Sequence, residues 1–122
     1  MKIPKDTNYW LDRVKKERTL SSDSAVAELL GATRQAVSQQ RAGKNQMSIK
    51  SAIQTGWILG IDPLEVIGAV MFHTEKNNKN GDPEFWRALW VRKCGERLDA
   101  SKKARPSEIK ASAEPLRAAG SQ

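Results

Sequence analysis

The chain has 122 residues, enough for one compact domain and a further segment, and it carries a formal net charge of +7. The single cysteine, Cys94, excludes an internal disulfide and fits a reducing cytoplasm. No apolar run approaches the roughly 18 residues of a membrane span, and the N-terminal residues lack the apolar core of a signal peptide. We therefore expect a soluble, cytoplasmic protein with a polyanion as its partner.

The first helix is predicted to start at Asp6 or Thr7 and to run to about Arg18. Its apolar side consists of Tyr9, Trp10 and Val14. A cluster of serines around Asp23 then forms a loop and the start of a second helix.

Residues 23–44 predict two short helices joined by a tight turn. The apolar residues of the first of them share one helical face: Val26, Ala27 and Leu30. Gly31 can end that helix, because glycine adopts a positive φ at little steric cost. Thr33 can cap the next helix, which directs Ala36 and Val37 inward. Two helices that meet at a glycine turn, with the second polar on its outer side, are typical of a DNA-binding helix-turn-helix.

The same stretch resembles the Cro and phage-repressor (XRE) helix-turn-helix family, over roughly residues 7–72. The matching positions are Ala27, Leu30-Gly31, Thr33, Ala36-Val37-Ser38, Arg41 and Gly43-Lys44. Small Ala27 stands where the family needs a close helix crossing, Gly31 matches its turn glycine, and Val37 matches its apolar residue between the two helices. Gln40 departs from the pattern, because the family usually has an aromatic or aliphatic residue there. The resemblance implies an all-α fold with a five-helix lambda-repressor-like helix-turn-helix domain.

Two further helices follow the motif. Ser48 is predicted to cap a fourth helix that ends at Gly60. Its buried stripe is predicted to be Ile49, Ala52, Ile53 and Trp57. Asp62 and Pro63 start a fifth helix in the usual cap-then-proline order. Its inward residues are predicted to be Leu64, Ile67, Val70 and Met71. His73 follows them without cysteines or carboxylates at ligand spacing, so we expect a position at the surface or in the C-terminal turn of the helix, and no metal site.

An additional C-terminal helix is predicted to start at Asp82-Pro83, after an asparagine-rich loop. Its apolar stripe is Phe85, Trp86, Leu89 and Trp90. This stripe completes the core of the monomer or also meets its copy in a second subunit; we favour the core role, because a small chain needs its aromatic residues there. Residues 100–122 are rich in Ser, Ala, Pro and charge and are predicted to be a disordered basic tail. The expected divisions are residues 1–75, 76–99 and 100–122.

The expected DNA contacts fall into two groups. Bases in the major groove are within reach of the outward residues of the recognition helix, about residues 33–42: Arg34, Gln35, Ser38 and Gln39. Thr33 lies at the helix start, where its hydroxyl or the backbone N–H groups can contact a phosphate. The resemblance implies that the loop and the next helix start also straddle the backbone, through Arg41, Lys44, Asn45 and Ser48. For Ser48, helix capping alone also explains the residue.

The resemblance implies a sequence-specific regulator of transcription of phage or mobile-element kind, in the cytoplasm of a bacterium or of a phage-infected host. We expect it to bind a palindromic double-stranded operator as a homodimer and to repress transcription there. An antitoxin or a phage accessory protein, whose C-terminal helix binds a protein partner, is the alternative. No glycine-rich phosphate loop and no paired carboxylates are present, and neither Cys94 nor His73 has a catalytic partner nearby in sequence. We therefore expect no enzymatic activity, no cofactor and no small-molecule ligand.

Overall fold

Residues 3–103, which the computed structural model describes, form six helices and no strand. The helices are α1 Thr7–Glu17, α2 Asp23–Leu30, α3 Arg34–Arg41, α4 Ile49–Leu59, α5 Pro63–Glu75 and α6 Pro83–Lys103. The all-α prediction is thus confirmed. None of these helices combines the length and the apolar character that crossing a bilayer requires. The last helix extends through residue 103 into the segment predicted to be a tail, and the rest of that segment lies outside the described residues.

Helices α1 to α5 each begin at a side chain that caps them. The caps are Asp6, Ser22, Thr33, Ser48 and Asp62, and each accepts a hydrogen bond from a backbone N–H two or three residues further on. Such bonds satisfy amide groups that have no partner inside the helix. Gly31 and Gly60 end α2 and α4 in the left-handed conformation, both with φ 70°. These boundaries are therefore set by residues next to them in sequence.

The core lies between α1, α2, α4 and α5, and α3 is attached to it by one apolar side chain. Val37 is fully buried and belongs to the same cluster as Leu11, Val26 and Val66. Gln40 is also buried, at the position where the resembled family usually has an aromatic or aliphatic residue. The inner side of α3 is thus fixed, and three of its other side chains are exposed.

The prediction of a buried Trp57 is wrong, because this residue is 66% exposed. The helix α4 instead buries a side of small residues: Ser51, Ala52, Thr55 and Gly56. A Cβ atom added at Gly56 would lie 2.7 Å from the Cα of Pro63, so only glycine permits this approach of α5. This close crossing turns the larger apolar side of α4, which includes the exposed Ile49, towards solvent.

One expectation about α5 is also wrong. Leu64, predicted to face inward, is exposed, and its neighbour Glu65 is buried. His73, predicted to lie at the surface or in the C-terminal turn, lies in that turn and is buried, and its Nε2 lies 2.7 Å from the carbonyl oxygen of Pro4. The histidine thereby holds the N-terminal segment against the last turn of α5.

The helix α6 packs along α5 through Trp86 and Trp90. Trp90 is only 5% exposed and belongs to the core, which confirms the core role for this residue. The helices cross closely at Gly68, where an added Cβ would lie 2.9 Å from the backbone nitrogen of Trp90. Phe85, predicted as part of the same stripe, is 59% exposed, because it lies on another side of the helix.

Candidate nucleic-acid interface

The turn between α2 and α3 has the geometry of a tight helix connection. The amide of Gly31 donates to the carbonyl of Glu28, and the amide of Ala32 donates to that of Ala27 at 2.8 Å. Thr33 then accepts a hydrogen bond from the amide of Ala36 at 2.9 Å and starts α3. Three residues between the helices thus suffice to turn the chain, and α3 leaves the turn with its first residues exposed.

The residues predicted to contact bases lie together on the outer side of α3. Arg34, Gln35 and Ser38 are exposed, and Gln39 is half-buried. The Oε1 of Gln39 accepts a hydrogen bond from the Nδ2 of Asn45 at 2.7 Å, which ties this side chain to the following loop. The amide NH₂ of Gln39 remains available as a donor. This face therefore offers guanidinium, amide and hydroxyl groups without an intervening apolar residue.

The residues predicted to contact phosphate do not share one environment. Thr33, Lys44, Asn45 and Ser48 are exposed. The Oγ of Ser48 accepts from the amide of Ser51 at 3.1 Å and lies 3.2 Å from its hydroxyl, so capping accounts for this residue. Lys44, by contrast, forms no ion pair with any described residue.

Arg41, the fifth residue of that group, binds carboxylates of its own chain. Its guanidinium donates to both carboxylate oxygens of Asp23 at 3.1 Å, and its Nη2 lies 2.8 Å from Asp12. Its Nη1 also donates to the side chain of Asn8 at 3.1 Å. These hydrogen bonds lower the pKa of Asp23 and raise the pKa of Arg41. The structure therefore gives Arg41 the role of fastening the end of α3 to α1 and α2, and a phosphate contact has no support from its geometry.

A further cation lies at the turn and was not among the predicted contacts. A Cβ atom added at Gly31 would lie 3.7 Å from the Nζ of Lys50, so this ammonium group reaches the turn from the first turn of α4. The sequence indicates this position of Lys50 only weakly, because a lysine next to a helix cap is common on any soluble helix. No Asp or Glu occurs from Leu29 to Ile61. The helices α3 and α4 thus contribute no carboxylate to this surface.

The residues predicted as a dimer interface do not lie on one free surface. Trp90 is part of the core of its own chain, and its 5% exposure leaves little of this side chain for contact with a second subunit. Trp86 and Leu89 are half-buried against the chain, and Phe85 is exposed. Within residues 3–103, no three His, Cys, Asp or Glu side chains group as ligands for a metal ion.

Comparisons of the chain with protein-family models, with curated proteins and with solved structures found no match. The resemblance to a family therefore rests on the sequence pattern alone.

Proposed function

We propose that this chain is a sequence-specific double-stranded DNA-binding regulator of transcription, built on a Cro-like or phage-repressor-like helix-turn-helix. The observation that carries the proposal is the outer side of α3, where Arg34, Gln35 and Ser38 are exposed on a helix that contains no acidic residue. An α-helix fits the major groove, and its arginine and glutamine side chains can pair with the edges of guanine and adenine. The polar face of α3 has the residue types and the accessibility that such readout needs.

The surroundings of α3 support binding to the DNA backbone. The cap at Thr33 leaves amide groups of the first turn of α3 directed outward, where the helix dipole favours a phosphate. Lys44 and Lys50 flank the helix with ammonium groups that no described carboxylate neutralises. Attraction of this kind is independent of sequence and falls steeply with salt concentration.

The small size of the domain favours binding as a dimer. One helix-turn-helix makes few base contacts, and a pair of half-sites about 34 Å apart multiplies them. We propose a palindromic operator for this reason. Repression, rather than activation, is the habit of the resembled family.

Selection of bound fragments from a random DNA pool by the full chain tests this proposal. We expect the selected fragments to share a palindromic motif. Anisotropy titrations then compare the selected duplex with random duplex for two variants. We expect Gln39→Ala to lower discrimination at one base position by about 1–3 kcal/mol. Lys44→Ala should weaken binding to both duplexes alike and reduce the salt dependence by about one phosphate contact.

Lys79→Ala, in the loop before α6, is the matched control for Lys44→Ala and should leave both affinities unchanged. The proposal fails if the chain shows no salt-sensitive association with any duplex. The assignment of the reading side chain fails if Gln39→Ala affects selected and random duplex equally.

A further inference from the structure

The chain turns back at the end of α3 and brings Asn45 beside Gln39. Gly43 adopts a positive φ of 79°, and its amide donates to the carbonyl of Gln40 at 3.1 Å. The amide of Lys44 donates to the carbonyl of Gln39 at 2.9 Å. These two hydrogen bonds form the Schellman arrangement that commonly ends a helix. The backbone next to Asn45 is therefore fixed relative to Gln39 before any ligand binds.

A hydrogen bond between side chains joins the same two residues. The Nδ2 of Asn45 donates to the Oε1 of Gln39 at 2.7 Å. A carboxamide has its acceptor oxygen and its two N–H donors on separate arms of one planar group. Since the oxygen of Gln39 is directed at the loop, its NH₂ group is directed away from the loop. Asn45 thus decides which arm of this amide the outer side of α3 presents.

Gln35 lies one helical turn earlier on the same side of α3 and has no such tie. Its side chain is exposed, whereas Gln39 is half-buried, and no hydrogen bond to another described residue holds its amide. The amide of Gln35 can therefore rotate and present its oxygen and its nitrogen together to one base. The two glutamines differ in what they offer to DNA, although their residue type is the same.

We propose that Asn45 is a positioning residue that makes Gln39 a hydrogen-bond donor and directs it to guanine rather than adenine. Because the contact lies in the major groove, this role rests on the proposed function. Guanine presents two adjacent acceptors there, O6 and N7, and both can accept from one NH₂ group. Adenine pairs with glutamine through N7 and through its N6 amino group, which must donate to Oε1. Asn45 competes for that oxygen and keeps it turned towards the loop, so the adenine pairing loses one of its two hydrogen bonds.

This role differs from the phosphate contact that the sequence predicted for Asn45. Loss of a phosphate contact weakens binding to every sequence alike, because phosphates carry no sequence information. Loss of a positioning residue changes the preference among bases and acts only through the side chain that it holds. The preference at one base position therefore separates the two roles.

Four duplexes and the full chain test the proposal. The duplexes carry the motif that the chain selects from a random pool, and they differ only in the base pair at the position where Gln39→Ala loses discrimination. Anisotropy titrations give the affinity for each duplex. We expect the wild type to prefer guanine over adenine there by about tenfold. Asn45→Ala should reduce this preference to about twofold or less, because the released amide can also pair with adenine.

Asn45→Asp should turn the amide of Gln39 round. A carboxylate at position 45 accepts hydrogen bonds and cannot donate one, so it attracts the NH₂ group and leaves Oε1 facing the groove. The preference should then move towards adenine or cytosine, whose amino groups can donate to that oxygen. The added negative charge lowers the affinity for all four duplexes, so the ratio between duplexes is the measured quantity.

Three controls show that the effect passes through Gln39. Lys44→Ala, in the same loop, should weaken binding to all four duplexes alike. In the Gln39→Ala background, Asn45→Ala should leave the base preference unchanged, because no amide remains to be positioned. At the base position that Gln35→Ala identifies, Asn45→Ala should change nothing. The Tm of Asn45→Ala should match that of the wild type, because this side chain is exposed.

A wild-type preference for any base other than guanine at this position, or a guanine preference that persists in either variant of Asn45, would overturn the proposal. Equal weakening of all four duplexes by Asn45→Ala would also overturn it, since that is the result of a phosphate contact. These results leave the regulator function intact. A chain that selects no DNA motif would instead refute the proposed function and this role of Asn45 with it.

Discussion

Replacement of Arg97 by alanine tests how strongly a buried carboxylate depends on α6. Glu65 lies in the first turn of α5, and its side chain is only 2% exposed. Both of its oxygens accept hydrogen bonds from Arg97, at 2.9 and 3.0 Å. This bidentate pair also raises the pKa of Arg97. The variant Arg97→Ala leaves the carboxylate inside the protein without a countercharge.

The expected loss of unfolding free energy is at most about 3–5 kcal/mol, the cost of leaving a buried charge without its partner, because Glu65 is buried whereas Arg97 is 45% exposed. The amide groups of the first turn of α5 offset part of it, so we expect a value near 3 kcal/mol. Urea unfolding, followed by tryptophan fluorescence at a concentration where the chain is monomeric, measures this loss. Such a loss is a large part of the stability of a small domain.

Arg87→Ala is the matched control for this experiment. Arg87 binds Glu84 within α6 through one hydrogen bond of 2.8 Å, and the side chain of Glu84 is 65% exposed. Water can solvate that carboxylate after the substitution, so we expect a loss of about 0–1 kcal/mol. The double variant Glu65→Leu, Arg97→Met should lose less than Arg97→Ala, because it removes the buried charge as well. Equal losses for Arg97→Ala and Arg87→Ala would refute the reasoning from burial.

Three further predictions concern the helix contacts. Gly68→Ala should destabilise the chain by a net value of about 1–2 kcal/mol, because the cost of the collision between the new Cβ atom and the backbone of Trp90 exceeds the gain in helix propensity. Thermal unfolding measures this loss, and an unchanged Tm would contradict the close crossing. Because Arg41 lowers the pKa of Asp23, the stability from this pair should be complete above about pH 4 and should be lost as the pH falls through the lowered value. Urea titrations of the wild type and Asp23→Asn should therefore converge at low pH, and a difference that persists there would refute the electrostatic origin. Thr33→Val removes the cap of α3 and should lower the free energy of unfolding by about 1 kcal/mol. Thermal unfolding followed by circular dichroism measures this loss, and an unchanged stability would mean that water replaces the cap.

The outward positions of α3 could be predicted from sequence because a helix repeats every 3.6 residues and one buried residue fixes its rotation. With Val37 inside, the positions of Arg34, Gln35 and Ser38 follow. The partners of Arg41 could not be predicted in this way. Asp23 lies 18 residues away and Asn8 lies 33 residues away, and no local pattern relates them.

The same limit explains the errors in α4. The sequence pattern assigns the larger apolar residues to the core, since burial of apolar area is the main driving force. At Gly56 the approach of Pro63 leaves no room even for a Cβ atom, so the smaller side of the helix is buried. Trp57 is exposed because of this contact between α4 and α5, which the sequence of α4 alone does not reveal.

The sequence by itself determined where the helices begin and where α2 and α4 end, as at Thr33 and Gly31, because caps and turns involve residues that are a few positions apart. Only the tertiary structure decided which side of α4 is buried, that Arg41 fastens α3, and that Glu65 requires Arg97. Those outcomes depend on the distances between helices, and these are set by close packing of residues that lie far apart along the chain.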